Sequence, residues 1–188
     1  TVTGVQTCAL PIFQAASTVH KATKPNLNES FFISHDRGPD HPDVAMALDN
    51  LASARMHLGE TAEAEADLRR SMEIKRRTLG PEHPEVAMSL NNLAELYRLQ
   101  GRFDEAAPLY ERALSVAEEA LGPDHPDLAT TLNNLAGIYV TQGRYPAAEV
   151  LMRRALLIQE QALGPDHVDM VASLEAYALL LRQTKRET

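Results

Sequence analysis

A five-residue signature returns every 42 residues along this chain. It reads Gly38-Pro39-Asp40-His41-Pro42, then Gly80-Pro81-Glu82-His83-Pro84, then Gly122-Pro123-Asp124-His125-Pro126, and last, without its final proline, Gly164-Pro165-Asp166-His167. The copies beginning at Gly80 and Gly122 agree at 22 of 42 positions without a gap. A fixed period of this size implies that each copy is one small structural unit, unable to bury its apolar face alone, and that stacking the copies builds a continuous core. The chain is therefore read as an array.

Within a copy the apolar residues have helical spacing. Val86, Leu90, Leu93, Ala94 and Tyr97 fall at i, i+4, i+7, i+8 and i+11, and the pattern restarts after Gly101 with Ala106, Leu109, Tyr110, Ala113 and Leu114. Each copy thus predicts two helices. The punctuation agrees: Pro84 and Pro126 suit a first helical turn, Glu85 and Asp127 favour the positive helix start, and Gly80 and Gly122 end the preceding helix. Pro108 lies several residues into the second helix. With a start near Phe103 or Asp104, its missing N–H falls within or beside the first turn, so the helix is predicted to continue with at most a slight bend. Ala94, Ala136, Ala106 and Ala148 leave room for close helix approach, while Tyr97, Tyr110 and Leu114 fill the remaining space.

The order of small and large residues at Leu90, Leu93, Ala94, Tyr97, Gly101, Ala106, Tyr110 and Ala113 resembles the tetratricopeptide repeat signature. The 42-residue length, the Gly-Pro-Asp-His-Pro loop and the Leu-Asn-Asn-Leu-Ala start are similar to the long variety of kinesin light chains and bacterial relatives. The resemblance runs from Gly38 to about Arg182. It implies an all-α, right-handed superhelical solenoid of antiparallel helix pairs, about three and a half repeats at 38–79, 80–121, 122–163 and 164–188. Its concave side would be lined by each unit's first helix. Arg55 at the Tyr97 position, Ser71 at the Ala113 position and Leu181 in place of a tyrosine depart from the pattern, as end-cap adaptations would.

The resemblance also implies a function, the holding of a protein or peptide segment in that concave groove. Adjacent asparagines are unfavourable inside a helix, because their side chains compete for backbone hydrogen bonds, yet Asn91-Asn92 and Asn133-Asn134 recur there, with Asp49-Asn50 in the first unit. A spaced row of amides offers donors and acceptors to the main chain of an extended ligand. For Asn91 and Asn133 groove contact is the preferred reading. Asn50, Asn92 and Asn134 are left open between groove contact and a bridge between neighbouring helices. Met46, Ser53, Met88, Glu95, Thr130, Gly137 and Glu175 complete the expected groove. No lysine is among these residues, which departs from the family members that clamp the EEVD tails of chaperones. The alternative function is a sensor or oligomerisation arm of a larger signalling ATPase or kinase, since both ends of the chain look cut. Self-association through the apolar face of the terminal half repeat, around Leu174, Leu179, Leu180 and Leu181, is a further possibility.

Composition narrows the partners. The net charge is -8 and, because Lys21, Lys24 and Arg37 outnumber Glu29 and Asp36, the repeats carry -9 of it. That disfavours nucleic acid, whose affinity comes from clustered lysine and arginine. Basic residues do gather on the second helices, at Arg69, Arg70, Lys75, Arg76, Arg77, Arg153 and Arg154, and are read as a solvated outer face balanced by glutamates. No run of eighteen apolar residues or signal peptide is visible, so no membrane association and a cytoplasmic location are expected. His41, His83, His125 and His167 recur once per repeat, on the order of 10 Å apart if neighbouring units stand one helix pair apart. Metal ligands must converge to about 2 Å, so these histidines are read as loop residues before a helix start. No catalytic, cofactor or metal motif is present. Residues 1–12 resemble a translated sequencing-library adapter and are set aside with their lone cysteine, Cys8. Residues 13–37 read as a weakly ordered linker.

Overall fold

The computed structural model describes residues 38–164 and 167–184, and the segments 1–12 and 13–37 lie outside the described residues. Seven helices follow in order among the described residues: α1 (Pro42–Leu58), α2 (Thr61–Leu79), α3 (Pro84–Leu99), α4 (Phe103–Leu121), α5 (Leu128–Thr141), α6 (Tyr145–Leu163) and α7 (Val168–Thr184). α1 with α2, α3 with α4 and α5 with α6 form antiparallel pairs, and α7 follows in the place of a first helix. The stack is a right-handed solenoid.

The recurring histidine begins the unit. Nδ1 of His41 accepts from the Asp43 N–H at 3.2 Å, His83 from Glu85 at 3.2 Å and His125 from Asp127 at 3.3 Å. Each imidazole thus takes one of the donors that a helix start leaves without an intrahelical partner. Pro42 and Pro84 sit in the first turns of α1 and α3. α5 departs from the expected pattern, since it begins only at Leu128 and Pro126 lies in the turn before it. Gly80 and Gly122 close α2 and α4 at φ 95 and 93° with ψ near 156°, a region that a Cβ makes costly. α4 runs unbroken through Pro108, which is exposed and five residues beyond the Phe103 start.

One core runs the length of the stack. Ala52, Ala94 and Ala136 on the first helices and Ala64, Ala106 and Ala148 on the second are fully buried, joined in a single cluster by Leu68, Tyr97, Tyr110, Ile138 and Leu180. Methyl-sized side chains at both contact surfaces let the helices approach until the larger residues fill the gaps at crystal-like density. Leu114 is half-buried and packs on Leu128 and Leu132 of the next unit. Tyrosines staple unit to unit: Tyr97 donates to Glu65 at 2.6 Å, and Tyr139 to Glu111 at 2.5 Å, each on the preceding second helix. α7 has Leu181 where that tyrosine would stand. Tyr177, one turn earlier, receives a bond from Arg153 at 2.7 Å and restores the link.

Candidate protein-binding face

The first helices expose corresponding residues at 42-residue steps. Met46 (59% exposed), Met88 (62%) and Thr130 form one row of exposed side chains. Asn50 and Asn92, both exposed, and the half-buried Asn134 form a second, and Ser53, Glu95 and Gly137 a third. Glu175 on α7 is exposed. The spacings of four and three residues that separate these rows keep them on one face of each helix.

The first residue of each pair lies deeper. Asn91 Oδ1 accepts from the Thr131 hydroxyl at 3.0 Å, and Asn133 Nδ2 donates to Ser173 at 2.9 Å. Both bonds join consecutive first helices across a 40-residue separation. They provide the compensation that an asparagine inside a helix needs. Asp49 differs: its Oδ2 accepts from Lys75 at 2.6 Å, on the second helix of its own unit, and Ser89 donates instead to the Glu85 carbonyl. Lys75 is only 7% exposed. It therefore leaves the solvated outer face to which its sequence neighbours assigned it, because a buried ammonium needs a carboxylate within reach and Asp49 supplies one.

Glu95 is the most connected member of the face. Arg98 grips both of its oxygens, Nε to Oε2 at 2.7 Å and NH2 to Oε1 at 2.6 Å, and Tyr110 donates at 2.7 Å. Burial pushes the Glu95 carboxyl up, but the bonds from Arg98 and Tyr110 outweigh it and hold the group below the usual carboxylate range. Burial, followed by the bond to Glu95, pushes the Tyr110 phenol well above its ordinary value. Between α1, α2 and α3 lies a cavity of about 170 Å³, lined by Asp49, Ser53, Met56, Leu68, Asn92 and Glu95. Sequence reasoning placed Asp49, Ser53, Asn92 and Glu95 on this face but missed Met56 and Leu68. The signal was present in the aligned columns, where these two stand against Arg98 and Tyr110.

The other basic residues of the second helices are largely paired. Arg69 binds Glu65, Arg76 binds Glu73, Arg77 binds Asp40 and Arg153 binds Glu149, at 2.6 to 3.0 Å, and Arg154 meets Glu118. At the last helix Leu174 and Leu179 are exposed, whereas Leu180, expected to be uncovered, is buried against the core. No described helix is long and apolar enough to cross a membrane. Among the described residues no group of three or more histidine, cysteine or acidic side chains could hold a metal.

Stacked helix pairs with a repeated row of solvent-facing residues on the first helices define a helical-repeat scaffold. The chain belongs to the tetratricopeptide repeat family, whose model matches residues 43–119, 91–156 and 132–187. It is of the long type seen in kinesin light chains. BtubC (BKLC) from P. vanneervenii is similar in structure, with TM-score 0.76 and 22% identity over 84% of this chain and 63% of that one. The nearly identical TPR-like repeats of a kinesin light chain protein from Podosopora anserina give TM-score 0.71 and 26% identity over 84% of this chain and 74% of that one. The N-terminal domain of stress-induced protein-1 from C. elegans shares the fold at TM-score 0.55 and 18% identity, covering 73% of this chain and 96% of that one. No curated protein matches the chain significantly in sequence. The chain thus spans 63% of the length of the BtubC structure. Tetratricopeptide repeats are in general protein-interaction modules and non-enzymatic scaffolds.

Proposed function

We propose that this chain holds an extended or helical segment of another protein on the concave face lined by α1, α3 and α5. The observation that carries the reading is the repeated row of exposed side chains, Met46, Met88 and Thr130 beside Asn50, Asn92 and Asn134. Thioethers adapt to varied apolar partners. The amides take up the polar main chain of the ligand, as the Asn91 amide nitrogen and the Asn133 carbonyl oxygen, which the bridges between helices do not use, can also do. Asp49 and Glu95 place acceptors on the same face.

A randomised peptide library panned on the purified chain tests this. Met88→Arg with Asn134→Ala is expected to weaken the enriched peptides at least tenfold while the helical signal and melting temperature stay put, because neither residue is buried. Unchanged affinity in that variant rejects the face. Peptides ending in EEVD are expected not to bind, since no lysine stands among the lining residues, and micromolar affinity by calorimetry would sink that expectation.

A further inference from the structure

The cavity between α1, α2 and α3 is one-sided in its chemistry. Its ionisable residues are the carboxylates Asp49 and Glu95, Ser53 and Asn92 add a hydroxyl and an amide, and Met56 and Leu68 form an apolar wall. No basic side chain lines it. Asp49 Oδ2 is taken by Lys75, but Oδ1 is buried with no protein donor in reach. A carboxylate offers about four acceptor positions, so Glu95, with three bonds made, retains capacity as well.

One repeat further on, Glu95 stands in the column of Ser53. The positions of Met56 and Leu68 are occupied there by Arg98 and Tyr110. The guanidinium of Arg98 binds the Glu95 carboxylate bidentately and the Tyr110 hydroxyl completes the set. In the first unit the thioether and the isobutyl group supply neither cation nor hydroxyl, and the buried Asp49 Oδ1 is left without a protein donor. A cavity of about 150 Å³ is known to take a benzene-sized group, so this one is large enough for a long side chain.

We infer that this cavity is a specificity subsite for a basic residue, arginine before lysine, of the segment held on this face. The aliphatic stem lies on Met56 and Leu68, and the head donates to Asp49 and Glu95. Arginine is favoured because its planar fork matches a carboxylate with two parallel bonds. The charge of -9 that the repeats carry draws a basic segment toward the face. Lys75 and Arg98 already neutralise their own partners, so selectivity comes from unfilled acceptor positions. The inference rests on the groove reading above.

The experiment is a randomised decapeptide library panned on the full chain, followed by fluorescence anisotropy of the enriched peptides. Each is compared with a version whose basic residue is replaced by norleucine. The expected result is a shared arginine or lysine whose replacement weakens binding at least tenfold. That preference is expected to vanish in Met56→Arg, which supplies a guanidinium from the chain itself as Arg98 does. Ser53→Lys, at an exposed position, is the second variant and places a like charge at the cavity if Met56→Arg fails to fold. Enriched peptides without a basic residue, or with one that both variants leave untouched, overturn the subsite. If Met88→Arg with Asn134→Ala still abolishes those peptides, the groove reading survives. Peptides indifferent to every one of these variants overturn both.

Discussion

Where α3 carries Tyr97 and its following loop carries Arg102, the guanidinium stacked 3.9 Å from the ring centre, α1 carries Arg55 and its loop Glu60, an ion pair at 3.8 Å. Where α3 and α4 carry Asn91 and Ala117, α1 and α2 carry Asp49 and Lys75, bonded at 2.6 Å. Arg55 also meets Asp67 on α2. The third unit keeps the aromatic version, Arg144 lying 3.8 Å from the Tyr139 ring. The first unit has therefore exchanged whole interactions. In the second and third units the conserved chemistry joins a unit to its neighbours, through Asn91 to Thr131 and Tyr139 to Glu111. In the first unit the substituted pairs close within the unit, Asp49 with Lys75 and Arg55 with Asp67. The same substitutions leave the cavity beside Met56 and Leu68.

The strongest way to break this comparison is to remove half of the buried pair. Lys75→Met strands Asp49 and is expected to cost about 3 kcal/mol, in the range for an uncompensated buried charge. Asp49→Asn with Lys75→Ala gives the first unit the chemistry of the second. It is expected to recover most of that loss in urea melts, with the new amide free to bond Ser89 as Asn91 bonds Thr131. If the double variant is as unstable as the single, the two units are not interchangeable. Next in size, Tyr110→Leu with Arg98→Met would give the second unit the first unit's cavity, at about 1–3 kcal/mol for an acceptor left with fewer partners.

Glu95 gives a pH signature to the same network. Its folded-state carboxyl is held down, so its stabilisation is complete above the ordinary glutamate range near ~4.3 and is lost as the pH falls through the lower folded value. Glu95→Gln is expected to flatten that acid limb of the stability curve, and an unchanged limb would contradict it. A smaller effect, about 1 kcal/mol, is expected for His83→Ala, which removes an acceptor from the α3 start. His41→Ala is expected to match it, because this device is common to both units. The smallest contrast lies at the loops, where Arg102→Ala is expected to lower the melting temperature slightly and Glu60→Ala less, as an exposed partner does. Equal effects would erase the distinction between stack and ion pair.

Much of this was legible beforehand because its causes are local. Gly80 and Gly122 must sit where a Cβ is costly, His83 lies two residues before an unsatisfied amide, and Ala94 and Ala106 recur at the positions a close helix crossing demands. A 42-residue period and a helical spacing are enough to specify helix pairs, their order and the rows that share a face. The expectation that α5 would start at Pro126 missed by two residues, within the usual fraying of helix ends.

What only the tertiary structure decided are the partnerships between side chains far apart in the chain. Lys75 belongs to a run of basic residues and looks solvated until the rotation of α2 turns it toward Asp49. Tyr177 replaces the link missing at Leu181 because one helical turn brings its hydroxyl to Arg153, a match that no column of the repeat reveals. The sequence by itself determined the period, the helices and the face they present, since those follow from backbone geometry repeated every 42 residues. Which amide bridges, which cation is buried and where a cavity opens depend on how helix faces are turned against one another, and that emerges only once the units are stacked.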